Sequence, residues 1–120
     1  MNLACVRDWP AVAKAAGYRA EGMATLCGVT PRTLQRFFKR RLKQSPREWI
    51  EDLRDELACI RLGEGWQVKA VSIEVCFESA SAFCRAFRAR HRTSPRRFQM
   101  GLAARWRLLL QKRRQKRKNA

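Results

Sequence analysis

The sequence is poor in the residues from which metal centres and catalytic sites are built. Its five cysteines never form a Cys-x-x-Cys pair, and His91 is the single histidine. With this supply of ligands a zinc site is not expected. A Ser-His-Asp set, paired carboxylates near the histidine and a glycine-rich phosphate loop are also absent from the sequence. We therefore expect a protein that is not an enzyme and that uses neither a metal nor a cofactor.

A long apolar segment is missing as well. The longest candidate is the leucine run at 108–110, far short of the roughly 20 apolar residues that span a bilayer. Arg7 and Asp8 interrupt any apolar stretch near the N-terminus, so we expect no secretory signal. An odd number of cysteines without such a signal is typical of the reducing cytoplasm. A cytoplasmic location and no membrane partner are expected.

Negative charge is absent from the last third of the chain. The whole sequence has 27 basic and 10 acidic residues, a net charge of +17. Residues 1–78 contain 13 basic and all 10 acidic side chains, whereas residues 79–120 contain 14 basic side chains and no carboxylate. A polyanion is therefore the default partner, and the second half should supply most of the electrostatic attraction.

The patterns that are present are helical. Alternating apolar runs and Asn-Gly or Asp-Gly hairpin turns are lacking, whereas helix signals recur between short breaks of Gly, Pro and Ser. We predict an all-α fold of about seven helices. They should cover about 8–16 and 20–27, begin at Thr30-Pro31, span 46–62 and 68–75, and begin at Ser79 and Ser94-Pro95.

The predicted long helix has two contrasting faces. One is an apolar stripe of helical period made of Trp49, Leu53, Leu57 and Ile60. The opposite face carries half of all the acidic residues, which are Glu48, Glu51, Asp52, Asp55 and Glu56. Because carboxylates repel phosphate, this face should point away from any nucleic acid.

An internal repeat with an offset of 49 residues is the strongest pattern. Thr30 matches Ser79, and the Ser-Pro-Arg sequence at 45–47 matches that at 94–96. Apolar and basic positions between them repeat in register, which predicts two similar modules joined by a helix. The shared core should include Leu34, Phe38, Trp49, Leu53, Phe83, Phe87 and Phe98.

Each repeat contains the spacing of a helix-turn-helix. In the first, Ala24 lets two helices approach, Gly28 permits a sharp turn, and Leu34 closes the core. The second places Ser72, Cys76 and Phe83 in these roles, with one extra residue in its turn.

In helix-turn-helix proteins, the second helix of the motif presents its first turns to base edges. Arginine can pair with guanine, and glutamine with adenine. The predicted base-facing residues are Arg32, Thr33, Gln35, Arg36, Ala80, Ser81, Ala82 and Arg85. Those predicted to contact DNA phosphates are Lys39, Arg40, Lys43, Arg88, Arg90, Arg92, Arg96 and Arg97.

Two segments resemble the AraC/XylS family of bacterial transcription regulators. The first is residues 28–39, and the second is residues 77–79 and 83–88 together with 94–98. The resemblance implies two helix-turn-helix subdomains joined by a long central helix, monomeric binding to adjacent major-groove segments of double-stranded DNA, and often activation through RNA polymerase. The expected division is a first subdomain at 1–62 with its linker helix at 46–62, a second at 63–104, and a basic tail at 105–120.

The sequence departs from this family at three turns. Family members usually have glycine where Lys43, Cys76 and Arg92 stand, so those helix ends are expected to be less sharply turned or less stable. No ligand-binding or dimerisation domain precedes the first unit in this sequence, so we expect either one of the family's short, sensor-free members, which the chain resembles, or a fragment of a longer regulator. We expect a nucleoid-associated, sequence-specific activator.

Two other functions are compatible with the charge. One is a nucleoid- or RNA-binding protein without sequence preference, and the other is a membrane-surface peptide built around the basic tail. The cysteines also suggest a redox switch as a hypothesis. The expected role of Cys27, Cys59, Cys76 and Cys84 is nevertheless to pack as small apolar side chains. His91 should contact solvent or phosphate.

Overall fold

The computed structural model describes residues 3–102, 105 and 111–112. A short 3₁₀ turn at Leu3–Cys5 precedes the α-helices. These are α1 (Trp9–Ala15), α2 (Ala20–Leu26), α3 (Pro31–Leu42), α4 (Pro46–Gly63), α5 (Val68–Glu74), α6 (Ala80–His91) and α7 (95–102). The described part of the chain contains no strand, which confirms the predicted all-α fold with seven helices. Most of the predicted basic tail lies outside the described residues.

The chain divides into two compact units, Met1–Leu57 (unit 1) and Ala58–Ala120 (unit 2). The division falls within α4, so this one helix contributes residues to both. Unit 1 contains α1 to α3 and the first part of α4, and unit 2 contains the rest of α4 with α5, α6 and α7.

Side-chain caps begin the helices at the predicted residues. Asp8 Oδ1 accepts a hydrogen bond from the Ala11 amide at 3.1 Å and so caps α1. Thr30 and Ser79 cap α3 and α6 through the amides three residues further on. Ser45 and Ser94 do the same for the helices that begin at Pro46 and Pro95, with bonds of 3.2 Å in both cases. Each such cap stabilises its helix by about 1 kcal/mol.

The internal repeat is longer in the structure than in the sequence. The Tyr18 amide donates to the Ala13 carbonyl at 2.8 Å, and the Trp66 amide donates to the Arg61 carbonyl at 3.1 Å. These two turns follow α1 and α4 respectively and are 48 residues apart. The end of α4 in unit 2 is therefore the counterpart of α1 in unit 1.

Aromatic side chains fill the core of unit 1. Phe38 is fully buried, and its ring meets Trp9 and Trp49 edge-on at centroid distances of 4.9 Å and 5.4 Å. Leu34 and Met23 are buried beside it. Gly22 lets α1 and α2 approach, because a Cβ there would lie 3.0 Å from the Ala16 carbonyl oxygen.

The core of unit 2 is also aromatic but includes a histidine. Phe83 and Phe87 are buried, and Phe98 packs against Phe87 at 5.3 Å. His91 is half-buried, stacks on Phe87 at 4.2 Å, and has its Nε2 atom 3.9 Å from Cys59 Sγ. His91 is the last residue of α6 and lies one turn after Phe87, so its ring packs on that side chain while the residue stays partly exposed. The expected contact of His91 with solvent or phosphate stays a prediction.

Polar groups complete unit 2. The Gln99 side-chain amide donates to the carbonyls of Leu62 and Trp66, at 3.1 Å and 2.7 Å. It thereby provides hydrogen-bond donors for one carbonyl in the last turn of α4 and for one in the loop that follows. Arg61 pairs with Glu64 at 3.0 Å, and its guanidinium lies over the Trp66 ring at 4.7 Å.

The predicted apolar stripe of α4 is only partly correct. Trp49, Leu53 and Leu57 pack against the core of unit 1, as expected. Ile60 does not continue the stripe and is 49% exposed, whereas Ala58 and Leu62 are buried in unit 2. The helix serves two cores, so one continuous stripe does not describe it.

Three turns that usually contain glycine keep their sharp geometry without it. Lys43, Cys76 and Arg92 have φ angles of 59°, 59° and 60°, which is the left-handed region. The expectation of less sharply turned helix ends was therefore wrong. Each non-glycine residue instead carries a conformational cost of roughly 1–2 kcal/mol.

Replacing Cys76 by glycine should stabilise the protein. The position is exposed, so little packing is lost, and glycine removes the left-handed penalty. We expect the free energy of unfolding, measured in urea, to rise by roughly 0.5–1 kcal/mol. The matched control is Cys76→Ala, which keeps the penalty and should give no gain. Equal stability of the two variants would mean that the left-handed backbone at position 76 has no conformational cost.

Candidate nucleic-acid interface

Each unit contains a tight turn between its second and third helices. After α2, Gly28 takes a φ of 68° and the Val29 amide donates to the Ala24 carbonyl at 3.0 Å. After α5, Cys76 takes a φ of 59° and the Phe77 amide donates to the Ser72 carbonyl at 2.9 Å. The two turns therefore close in the same way, and each redirects the chain into the next helix.

Small side chains lie where the paired helices approach. Ala24 is 1% exposed and Ser72 is 2% exposed. Ser72 can replace alanine because its hydroxyl donates to the Lys69 carbonyl at 2.6 Å and is not left unsatisfied. Both positions predicted from the spacing are thus buried, and Ala24 belongs to the same core cluster as Leu34 of α3.

The outer face of α3 carries the predicted base-facing residues of unit 1. Leu34 and Phe38 are buried, whereas Arg32, Thr33, Gln35 and Arg36 are all exposed. Thr33 is engaged locally, since its hydroxyl lies 3.0 Å from that of Thr30 at the helix cap. The longer polar groups that remain outward are two guanidinium groups and one amide.

The outer face of α6 is less polar. Ser81 and Arg85 are exposed, whereas Ala80 and Ala82 are half-buried. The Ala82 amide is bonded to the Ser79 cap at 3.0 Å. Arg85 is thus the single long hydrogen-bonding side chain among the four candidates of this helix.

The predicted phosphate contacts share an exposed position near the ends of α3 and α6 or at the start of α7. All eight are exposed: Lys39, Arg40, Lys43, Arg88, Arg90, Arg92, Arg96 and Arg97. Because these side chains are at the surface, a polyanion can contact them without any rearrangement of the protein core. Among the described residues after Glu78, no side chain is a carboxylate.

The sequence patterns did not predict one feature of unit 1, a surface pocket (the hollow) of about 320 Å³. It is lined by Ala20, Glu21, Pro31, Leu34, Gln35, Ser45, Pro46 and Arg47. The lining residues come from the starts of α2, α3 and α4, and no local pattern relates these starts. The hollow borders Gln35 and so adjoins the candidate interface.

The cysteines are free thiols with different environments. Burial raises the pKa of the Cys27 thiol, so this side chain stays protonated and acts as a small core residue. Cys59 and Cys84 are half-buried, but Cys76 is exposed. The packing role expected for Cys76 was wrong, because the left-handed turn directs this residue to the surface.

A family model described as a helix-turn-helix domain matches residues 23–101, well over half of the chain. The chain belongs to the AraC/XylS family of helix-turn-helix DNA-binding transcription regulators. Because AraC-type regulators are non-enzymatic, the family also confirms that the chain is not an enzyme. A sequence search of curated proteins found no match.

Two solved structures have the same fold. One is a transcriptional regulator from Chromobacterium violaceum that is described as an AraC-type DNA-binding domain-containing protein. Its sequence is 22% identical, the TM-score is 0.65, and the alignment covers 78% of this chain and 88% of that one. The other is a DNA-binding transcriptional dual regulator from Escherichia coli K-12, with 19% identity, a TM-score of 0.65, and coverage of 78% and 87%. Within the described residues of this AraC-type chain, no helix is long and apolar enough to cross a membrane.

Enlarging the small residue between α2 and α3 should damage the helix-turn-helix. Ala24→Leu inserts three carbons into a fully packed contact, and we expect the free energy of unfolding to fall by roughly 1–3 kcal/mol. Ala15→Leu adds the same bulk at an exposed position of α1 and is the control. Urea unfolding of both variants decides the matter, and equal effects would mean that the contact at Ala24 is not close.

Proposed function

We propose that this AraC-type chain is a sequence-specific transcription activator that reads two adjacent major-groove segments, one with α3 and one with α6. The observation that carries the proposal is the repetition of one device. Each unit has the same closed turn, the same capped twelve-residue helix after it, and an exposed outer face on that helix. Two such units in one chain suit a site with two elements, bound by a monomer.

Unit 1 is proposed to supply most of the sequence information. Arg32 and Arg36 are one turn apart on the exposed face of α3, with Gln35 beside them. Guanidinium groups can pair with the O6 and N7 atoms of guanine, and an amide can pair with adenine. Thr33 is the weakest candidate here because its hydroxyl already contacts Thr30.

Unit 2 is proposed to contribute mainly affinity. Arg85 and Ser81 are its candidates for base contacts, and the half-buried Ala80 and Ala82 offer only their methyl groups to thymine. The eight exposed cations named above are proposed to contact phosphates. Such contacts fix the position of a helix in the groove but do not distinguish sequences.

A location on the nucleoid and activation through RNA polymerase belong to the same proposal. The alternative is a nucleic-acid-binding protein without sequence preference, which the net charge of +17 favours. Charge alone supplies nearly all of the free energy of non-specific binding. A measurement of affinity on one duplex therefore does not separate the two functions.

Selection from a random duplex library at physiological salt, followed by sequencing, tests the proposal. We expect a motif with two elements about one helical turn apart, since successive major-groove segments on one DNA face have that spacing. Recovery of no motif, with binding that falls steeply as salt rises, would leave the non-specific function instead.

Replacing Arg36 by alanine should relax specificity at one position of the selected site. If Arg36 pairs with guanine, binding weakens by roughly 1–3 kcal/mol on the selected duplex and much less on a duplex with that base pair changed. Competition binding of both duplexes measures the difference. A loss of the same size on both would place Arg36 on a phosphate.

A further inference from the structure

The residue that follows each proposed recognition helix, α3 in unit 1 and α6 in unit 2, is a cation in a strained conformation. Lys43 after α3 has φ and ψ angles of 59° and 22°, and Arg92 after α6 has angles of 60° and 19°. The two positions are 49 residues apart and are therefore equivalent in the repeat. Both side chains are exposed. Two units have thus arrived at the same unfavourable combination of backbone and side chain.

Helix stability does not account for this combination. A left-handed backbone costs a residue with a Cβ roughly 1–2 kcal/mol, and glycine avoids that cost. A cation at a helix C-terminus regains only about 0.3–1 kcal/mol from the helix dipole. That gain is already available, because the last turn of α3 has three cations and the last turn of α6 has two arginines and a histidine. Another cation beyond them adds little to the helix.

Binding does account for it. The Arg92 amide donates to the Arg88 carbonyl at 2.9 Å, which ties the backbone that carries this side chain to the last turn of α6. A charged group on a fixed backbone loses less conformational freedom on binding than one on a mobile loop. Backbone strain of this kind collects at binding sites in proteins.

We propose that Lys43 and Arg92 are a pair of equivalent anchors, each of which binds one DNA phosphate at the end of its recognition helix and is retained at the expense of helix-end stability. The inference rests on the proposed function, since it takes duplex DNA as the ligand of both units. It goes further because it selects two of the eight exposed cations. Each of the two is proposed to lower the stability of its helix end and to increase the affinity for DNA.

Glycine variants test the anchors. Lys43→Gly, Arg92→Gly and the double variant should fold with unchanged or raised midpoints of urea unfolding, because glycine suits the left-handed turn. The slope of log affinity against log salt should become shallower by about 0.9 for each single change and about 1.8 for the double change. At physiological salt each single variant should bind every duplex roughly tenfold more weakly.

Four control variants separate charge from strain. Cys76→Gly relieves the third left-handed turn without removing a charge and should leave the salt slope unchanged. Lys14→Gln removes an exposed charge from α1, outside the recognition helices, and should change the slope much less. Lys43→Arg and Arg92→Lys keep the charge at the anchors and should keep the slope of the original protein.

The outcomes distinguish this inference from the proposed function. Unchanged affinity and slope in the double glycine variant would overturn the anchors, and so would a loss confined to the selected duplex, which would mean base contact. Failure of the unmodified protein to select any motif would overturn the proposed sequence-specific function. In that case the salt slopes on a single random duplex still decide whether Lys43 and Arg92 bind phosphate.

Discussion

The close turn between the second and third helices of each unit is the constraint on which the rest of the structure depends. It needs a left-handed residue, an amide that reaches back to the carbonyl five residues earlier, and a small side chain beneath the crossing. Gly28 and Ala24 meet these needs in unit 1, and Cys76 and Ser72 meet them in unit 2. The outer face of the recognition helix is exposed because its inner face is held by this contact.

The two units reach the same geometry with different chemistry. Unit 1 is packed by an aromatic cluster in which Phe38 lies between two tryptophans. Unit 2 uses phenylalanines with a stacked histidine, and it adds the polar contacts of Arg61 and Gln99 around the end of α4. Units of about 60 residues bury only about 60% of the surface of their unfolded chains, so each depends on caps and turns as well as on its core.

Charge and readout are divided unevenly between the units. The guanidinium and amide groups of α3 form a surface able to distinguish base pairs, whereas α6 offers small residues with one arginine. Most of the positive charge lies in the second half of the chain, where residues 79–120 have 14 cations and no carboxylate. Under the proposed function, this arrangement would join a unit that reads base pairs to a unit that binds the DNA backbone. Both units have a cation with a left-handed backbone at the same point, and the proposed anchors would link the stability of the helix ends to the electrostatics of binding.

The sequence by itself determined the elements that depend on local chemistry. Caps such as Thr30 and Ser79, the prolines in the first turns and the spacing of Ala24, Gly28 and Leu34 act within a few residues, so the helices and both helix-turn-helix units followed from them. The repeat and the charge distribution could be read in the same way, and they led to the correct family.

Tertiary structure decided what depends on contacts between distant residues. Ile60 is exposed because α4 serves two cores, and the His91 imidazole lies against Cys59, which is 32 residues earlier in the chain and belongs to α4. The equivalence of α1 and the end of α4 is established by backbone hydrogen bonds, and its trace in the sequence is the pairs Gly17-Tyr18 and Gly65-Trp66 at the two turns. Lys43, Cys76 and Arg92 take left-handed backbones although their residue types disfavour them, because the packing on either side of each turn outweighs a local cost of roughly 1–2 kcal/mol.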